Sequence, residues 1–199
     1  MGSVEQSALS QLMELLSLSL VPMVQVGALL DGLDSATRIR VVENLGRREQ
    51  RSLWEAANGL PIALEQLVPS TVPELTPVRH YGRNTLPAFT RFEKRFFRDG
   101  DGSVLYGANF QLVSPLTGPG YFSVRAAPAR HELLVDYAVL PRRAPAGWPA
   151  IANERGIGRL VYGGLTDHVR RVSEHVTIGM PARRGKPLGS WFVLCREAT

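Results

Sequence analysis

Asp136 is the side chain whose setting most invites chemistry. It stands in Leu133-Leu134-Val135-Asp136-Tyr137-Ala138-Val139-Leu140, and on its own face of a strand its neighbours are Leu134, Ala138 and Leu140. A carboxylate in that company is either at an exposed edge or buried against a partner, because an unpaired buried charge is very costly. Earlier in the chain, Val104, Tyr106, Ala108, Phe110 and Leu112 fall on one side of an alternating run, and Asn109 and Gln111 fall on the other. A period of two marks a strand with one apolar face and one face that carries amides. Asp136, Asn109 and Gln111 therefore read as the polar end of a ligand pocket. His80 and His131 are the partners to look for if Asp136 works as an acid or a base.

Two other clusters carry recognition chemistry. His80-Tyr81-Gly82-Arg83-Asn84-Thr85 packs five hydrogen-bonding side chains around one glycine, the density of a binding loop entering a sheet, with His80, Tyr81, Arg83 and Asn84 as its contributors. Arg183-Arg184-Gly185-Lys186 is a compact basic loop of the kind that holds an anion.

Other chemistries are argued against. His168 and His175 fall seven apart in a segment that reads as helix, which sets them two turns, roughly 10 Å, apart. Zinc bonds near 2 Å do not span that gap, so no metal site is expected. The chain lacks a Gly-x-Ser-x-Gly elbow, and its Gly156-Ile157-Gly158 and Gly163-Gly164 pairs lack the Lys-Ser/Thr of a phosphate-binding loop. Cys195 lies in the apolar run Trp191-Phe192-Val193-Leu194-Cys195 and reads as a buried small hydrophobe. Arg91 to Arg98 interleaves aromatic and basic residues, but no helix-turn-helix, zinc-finger or RNA-binding signature accompanies it, which argues against nucleic acid.

The elements that must position these residues follow from periodicity. Leu9, Leu12, Met13, Leu16 and Leu20 make an amphipathic stripe that Pro22 ends. Val24 to Leu33 is ambiguous, Asp34-Ser35 offers an N-cap to a helix through Leu45, and a further helix from about Arg48 stops before Gly59. Pro69, Pro73 and Pro77 make 68–78 an extended connector. Beyond it, Asp99-Gly100-Asp101-Gly102 turns one strand into the next, and Tyr121 to Ala126 and Glu132 to Leu140 continue the pattern. Leu165, Val169, Val172 and Val176 have helical spacing, with Asp167/Arg171 and Arg170/Glu174 as pairs four apart on a helix over 160–176. Trp191 to Arg196 supplies the last strand.

The fold class so read is α+β. A helical layer over residues 1–76 covers an antiparallel β-meander, curved or half-closed, over 77–199, with one late helix and a final C-terminal strand, all in one domain. Charge divides at the same place: residues 1–76 carry five Arg against nine acids, and 77–199 carry eighteen Lys and Arg against nine acids. Of 23 basic residues only Lys94 and Lys186 are Lys, and the Arg excess runs through the whole chain as a compositional bias does. Ala8 to Leu30 is interrupted by Glu14 and Pro22, and no Lys or Arg precedes Arg38, so neither a membrane span nor a secretory signal is expected and the cytoplasm is the expected location.

The functional expectation is non-catalytic binding of a largely apolar small molecule, with or without an anionic head group, between sheet and helices. Two other classes stand beside it: a small enzyme using Asp136 with a histidine, and a protein-interaction module built on the apolar N-terminal helices. The same helices motivate an expected homodimer. No cofactor is implied by any motif.

Overall fold

The structure is a computed structural model that describes residues 2–88, 90–100, 102–110, 120–151 and 163–198. Gln111, one of the amides singled out above, lies outside the described residues.

The leucine stripe becomes α1 (Ser3–Ser17), which buries Leu9, Leu12 and Leu16. The helix ends before the stripe does, leaving Leu20 exposed. The ambiguous stretch is α2 (Met23–Asp31), with Val26 and Leu30 buried. α3 (Ser35–Val42) starts as its sequence requires: Asp34 Oδ1 accepts the Thr37 backbone N–H at 3.0 Å, the N-cap contact that satisfies an otherwise orphaned donor. α4 (Arg47–Ala56) is followed by Gly59 at φ +80°, a left-handed position that favours glycine after a helix.

Nine strands follow among the described residues: β1 (Val78–Asn84), β2 (Arg91–Arg98), β3 (Leu105–Phe110), β4 (Tyr121–Ala127), β5 (Glu132–Asp136), β6 (Leu165–Arg171), β7 (Val176–Arg183), β8 (Lys186–Pro187) and β9 (Phe192–Arg196). All pairings are antiparallel. Strands β1 to β7 pair in chain order, and β9 lies between β7 and β1, so eight strands close on themselves while β8 extends β7 as a short hairpin. The α+β class and the antiparallel sheet stand. The open meander or half-barrel does not, because the last strand bonds on both edges and closes the barrel.

The helix expected over 160–176 is also overturned. Its described part is strand β6, a turn at Ser173 to His175, and the start of β7, with Val172 N–H bonding to Val176 O at 2.9 Å. Positions i and i+4 share a face in a strand as well as in a helix, so Leu165 and Val169 fit either pattern. The β-branched content of Thr166, Val169, Val172, Val176 and Thr177 favours the strand. The supposed helix pairs take other partners. Asp167 meets Lys94, and Arg170 bonds Glu132 at 2.8 Å. His80 to Asn84, read as a loop, is β1 itself.

Register assigns the two faces. Gly82 lies opposite Phe92, Gly107 opposite Phe122, and Gly179 opposite Phe192. All six side-chain positions point into the barrel, and a methyl added at Gly179 would sit 2.1 Å from the Phe192 ring. The glycines are the space into which the phenyl rings fold. The run that opened with Val104 is inverted relative to a simple greasy-inside reading. Leu105, Gly107 and Asn109 face the interior, whereas Phe110 faces outward and packs on Trp148 at 4.9 Å between ring centroids.

The outer faces of β7 and β9 carry Val176, Ile178, Val193 and Cys195, and these join Leu12, Leu30, Val41 and Leu53 of the helices in one core cluster. A second cluster fills the barrel around Phe96, Phe122, Val135 and Leu194 and takes in Leu67, Val68 and Val72 of the connector. The connector thus plugs one end of the barrel. Arg98 holds it by donating to the carbonyls of Val68, Pro69 and Val72 at 2.8–3.1 Å. Deleting residues 1–60 uncovers the apolar outer face of β7 and β9. The fragment is expected to be insoluble or to melt without cooperativity, and a soluble 61–199 fragment with a sharp thermal transition contradicts the packing described.

Candidate ligand site at the open end of the barrel

The end opposite the plug opens into a cavity of about 290 Å³. Its walls are apolar, with Phe92 and Phe192 from the barrel, Leu165 and Pro181 from β6 and β7, and Leu188 and Trp191 from the segment leading into β9. Four polar side chains meet at its floor, each from a different element. Lys94 projects from β2, Asn109 from β3, Tyr137 follows β5, and Asp167 projects from β6.

The hydroxyl of Tyr137 is the hub. Lys94 Nζ donates to it at 2.6 Å, Asn109 Nδ2 donates to it at 3.3 Å, and it donates to Asp167 Oδ2 at 2.9 Å. Lys94 Nζ also reaches Asp167 Oδ2 directly, at 3.1 Å, and the two side chains are only 3% and 4% exposed. The ammonium is further surrounded by the rings of Phe122, Tyr137 and Phe192, with centroids 4.7–5.3 Å away. Burial pushes the Lys94 ammonium below its ordinary value, and the Asp167 carboxylate works against that shift without cancelling it.

Two residues of the cavity lining each have a buried polar atom with no partner among the described residues: Asn109 Oδ1, an acceptor, and Trp191 Nε1, a donor. Buried polar atoms in folded proteins are paired in the great majority of cases, and the Asn109 acceptor stands out because its own amide belongs to the Tyr137 cluster at the floor.

The residues picked out by sequence are dispersed. Asn109 and Asn84 line this cavity, and Arg183 stands at its rim. His80 faces the interior near the plugged end, with Nε2 2.9 Å from the Leu67 carbonyl and its ring edge-on to Phe96. Tyr81 and Arg83 point outward to Glu197 and to the Glu43 carbonyl. Asp136 is on the outer face, opposite Ser123 and Thr166, where its Oδ1 accepts the Ala138 backbone N–H at 2.9 Å and ends the strand. His131 is exposed in the left-handed turn before β5, at φ +52°. Asp136, His80 and His131 are therefore not brought together. Arg184 and Lys186 are exposed around the β7–β8 hairpin.

His168 and His175 do not converge either. His168 Nδ1 lies 2.9 Å from Glu132, and His175 Nδ1 lies 3.2 Å from an Arg196 guanidinium nitrogen. Burial raises the Glu132 carboxyl, but hydrogen bonds from His168 and Arg170 outweigh it and hold the group below its ordinary value. Among the described residues no cluster of three His, Cys, Asp or Glu side chains is placed to bind a metal. Burial pushes the Cys195 thiol up to about 11, the state of an unreactive core cysteine.

Fold and site define a class: a closed antiparallel β-barrel, capped by helices on one side, with a polar cluster at the base of an apolar mouth. No protein-family model matches the chain, and no curated protein matches it significantly. No helix among the described residues is long and apolar enough to cross a membrane.

Proposed function

We propose that the protein binds a small, largely apolar molecule inside the open end of its barrel. An eight-stranded barrel has an interior just wide enough for side chains or for one small ligand. Here one end is filled by the connector and the other is not. The space between sheet and helices, by contrast, is occupied by core side chains. A broader groove of about 550 Å³ near the plug, between Ile62, Gln66, Arg171 and Arg196, is more open and more heavily lined by polar and charged side chains, and is a poorer ligand site.

The observation that carries the proposal is the buried Lys94–Tyr137–Asp167–Asn109 cluster at the floor of an apolar cavity, with one Asn109 acceptor left over. Polar groups are expensive to bury, and four of them converging beneath a hydrophobic wall are what orients one end of a ligand. Asp167 already neutralises Lys94, so a second carboxylate brought to the floor meets a like charge. A neutral hydroxyl or carbonyl head suits this floor better than an acid.

Calorimetric titration with primary alcohols of increasing length, from butanol to dodecanol, tests the reading. Affinity is expected to rise by about 0.8 kcal/mol per buried methylene and then to level off once the cavity is full. Heats that are unsaturable across the whole series overturn it.

A further inference from the structure

We propose that Lys94 captures an apolar aldehyde as a covalent imine, so that the barrel is a carrier or scavenger of reactive carbonyl compounds. The inference rests on the reading of the open end as a ligand site, and it names the ligand's class.

Geometry is the first argument. Lys94 is one of only two lysines in the chain, and it is the one whose amine stands at the floor of the cavity. The other, Lys186, is exposed in the β7–β8 hairpin. Apolar walls lead to the Lys94 amine, so an alkyl aldehyde that enters head first places its carbonyl carbon at Nζ. A free carboxylic acid meets Asp167 there, and an alcohol offers no electrophilic carbon.

The second argument is the company the amine keeps. Imine formation needs a group to take a proton from the ammonium and a group to return one to the departing oxygen. Tyr137 Oη touches both Lys94 Nζ and Asp167 Oδ2, and Asp167 also contacts Nζ itself. In the step envisaged, the ammonium gives a proton to Asp167, directly or through the Tyr137 hydroxyl. The freed nitrogen lone pair forms a C–N bond as the carbonyl π pair moves to oxygen, which takes a proton and gives a carbinolamine. Its hydroxyl forms beside Asn109, whose amide bonds Tyr137 and whose Oδ1 has no partner among the described residues. The attached nitrogen then gives up a second proton through Asp167, which passes it to the hydroxyl; the hydroxyl leaves as water with the C–O pair, and the lone pair so freed on nitrogen closes the C=N bond. One ammonium and one aldehyde become one protonated imine and one water, with no oxidant or reductant. The iminium keeps the positive charge beside Asp167, so the ion pair survives the reaction. Burial lowers the Lys94 ammonium, which favours the free amine that the attack requires.

The full-length protein incubated with decanal and sodium cyanoborohydride at slightly acidic pH provides the test, read by intact mass and peptide mapping. The expected result is one alkyl group at Lys94, with Lys94 labelled ahead of the exposed Lys186. Decanol in excess should suppress labelling at Lys94 alone, and Lys94→Arg should abolish it while circular dichroism reports an intact barrel. If Lys94→Arg does not fold, suppression by decanol carries the test in the unaltered protein. Labelling confined to Lys186 and the amino terminus, with decanol still binding calorimetrically, overturns the imine and leaves the ligand site standing. Failure of both decanal labelling and decanol binding overturns the ligand site as well.

Discussion

Replacing Asp167 by Leu is expected to cost about 3–5 kcal/mol of folding stability, because it leaves the Lys94 ammonium buried without a counter-charge. Lys94→Met should cost a similar amount by stranding the carboxylate. The double variant Lys94→Met/Asp167→Leu is expected to recover most of the loss, since two apolar side chains of comparable volume fill the same space and no unpaired charge remains. Urea unfolding of the four proteins gives the coupling between the two positions as the departure from additivity. A double variant that falls by the full sum of the single losses contradicts a closed, mutually neutralising pair. The same double variant separates structure from function. Its barrel remains folded, yet it lacks the charged floor, and its affinity for decanol should drop.

The second large effect is expected in acid. The His80 ring is fully buried, and burial, helped by the nearby Arg196 charge and opposed by the hydrogen bond with the Leu67 carbonyl, pushes the imidazole down to about 3. Its Nε2–H donates to that carbonyl, and Nδ1 is then the unprotonated nitrogen, buried with no partner among the described residues. In the unfolded chain a histidine titrates near 6.5. Between these values the unfolded state holds a proton that the folded state refuses, so stability is lost as pH falls below about 6.5 and is unaffected above it. The slope should approach about 1.4 kcal/mol per pH unit from this one group. His80→Gln keeps an N–H donor for the Leu67 carbonyl and cannot be protonated. Its stability should decline less steeply with acid, the difference between the two curves being the contribution of His80. Parallel curves for the two proteins contradict the buried neutral imidazole.

The buried imidazole and the ion pair stand on neighbouring strands, His80 opposite Lys94 in register, and the sequence made them legible to different degrees. Helices α1, α3 and α4 follow from the Leu9–Leu16 stripe, the Asp34 cap and Gly59, because those signals are local. The Asp99–Gly102 turn and the alternation after Val104 likewise announced a hairpin. Closure of the barrel was not legible, since it depends on β9 finding both β1 and β7 from more than a hundred residues away in one case.

The site shows the limit most clearly. Asp136 and Tyr137 are adjacent, and a strand sends adjacent side chains to opposite faces. Both faces of β5 are apolar enough to pass for the interior, so Asp136 attracted attention while Tyr137 held the floor of the cavity. Lys94 and Asp167 did carry a signal. Each is a charged residue whose neighbours two positions away are apolar, Phe92 and Phe96 for the lysine, Leu165 and Val169 for the aspartate. The reading of 160–176 as a helix hid the second of these, because it paired Asp167 with Arg171 on a solvated surface.

Whether the open end of the barrel takes an apolar ligand onto the Lys94–Tyr137–Asp167–Asn109 floor is read by two-dimensional nitrogen–proton NMR during a decanol titration. Saturable shifts are expected of the Asn109 side-chain amide and the Trp191 indole N–H, since both residues line the cavity. The Trp54 indole, packed under Arg170 on the helical side, should stay in place. Shifts confined to Trp54 and the helices, or none at Asn109 and Trp191 up to the solubility limit of decanol, contradict such binding.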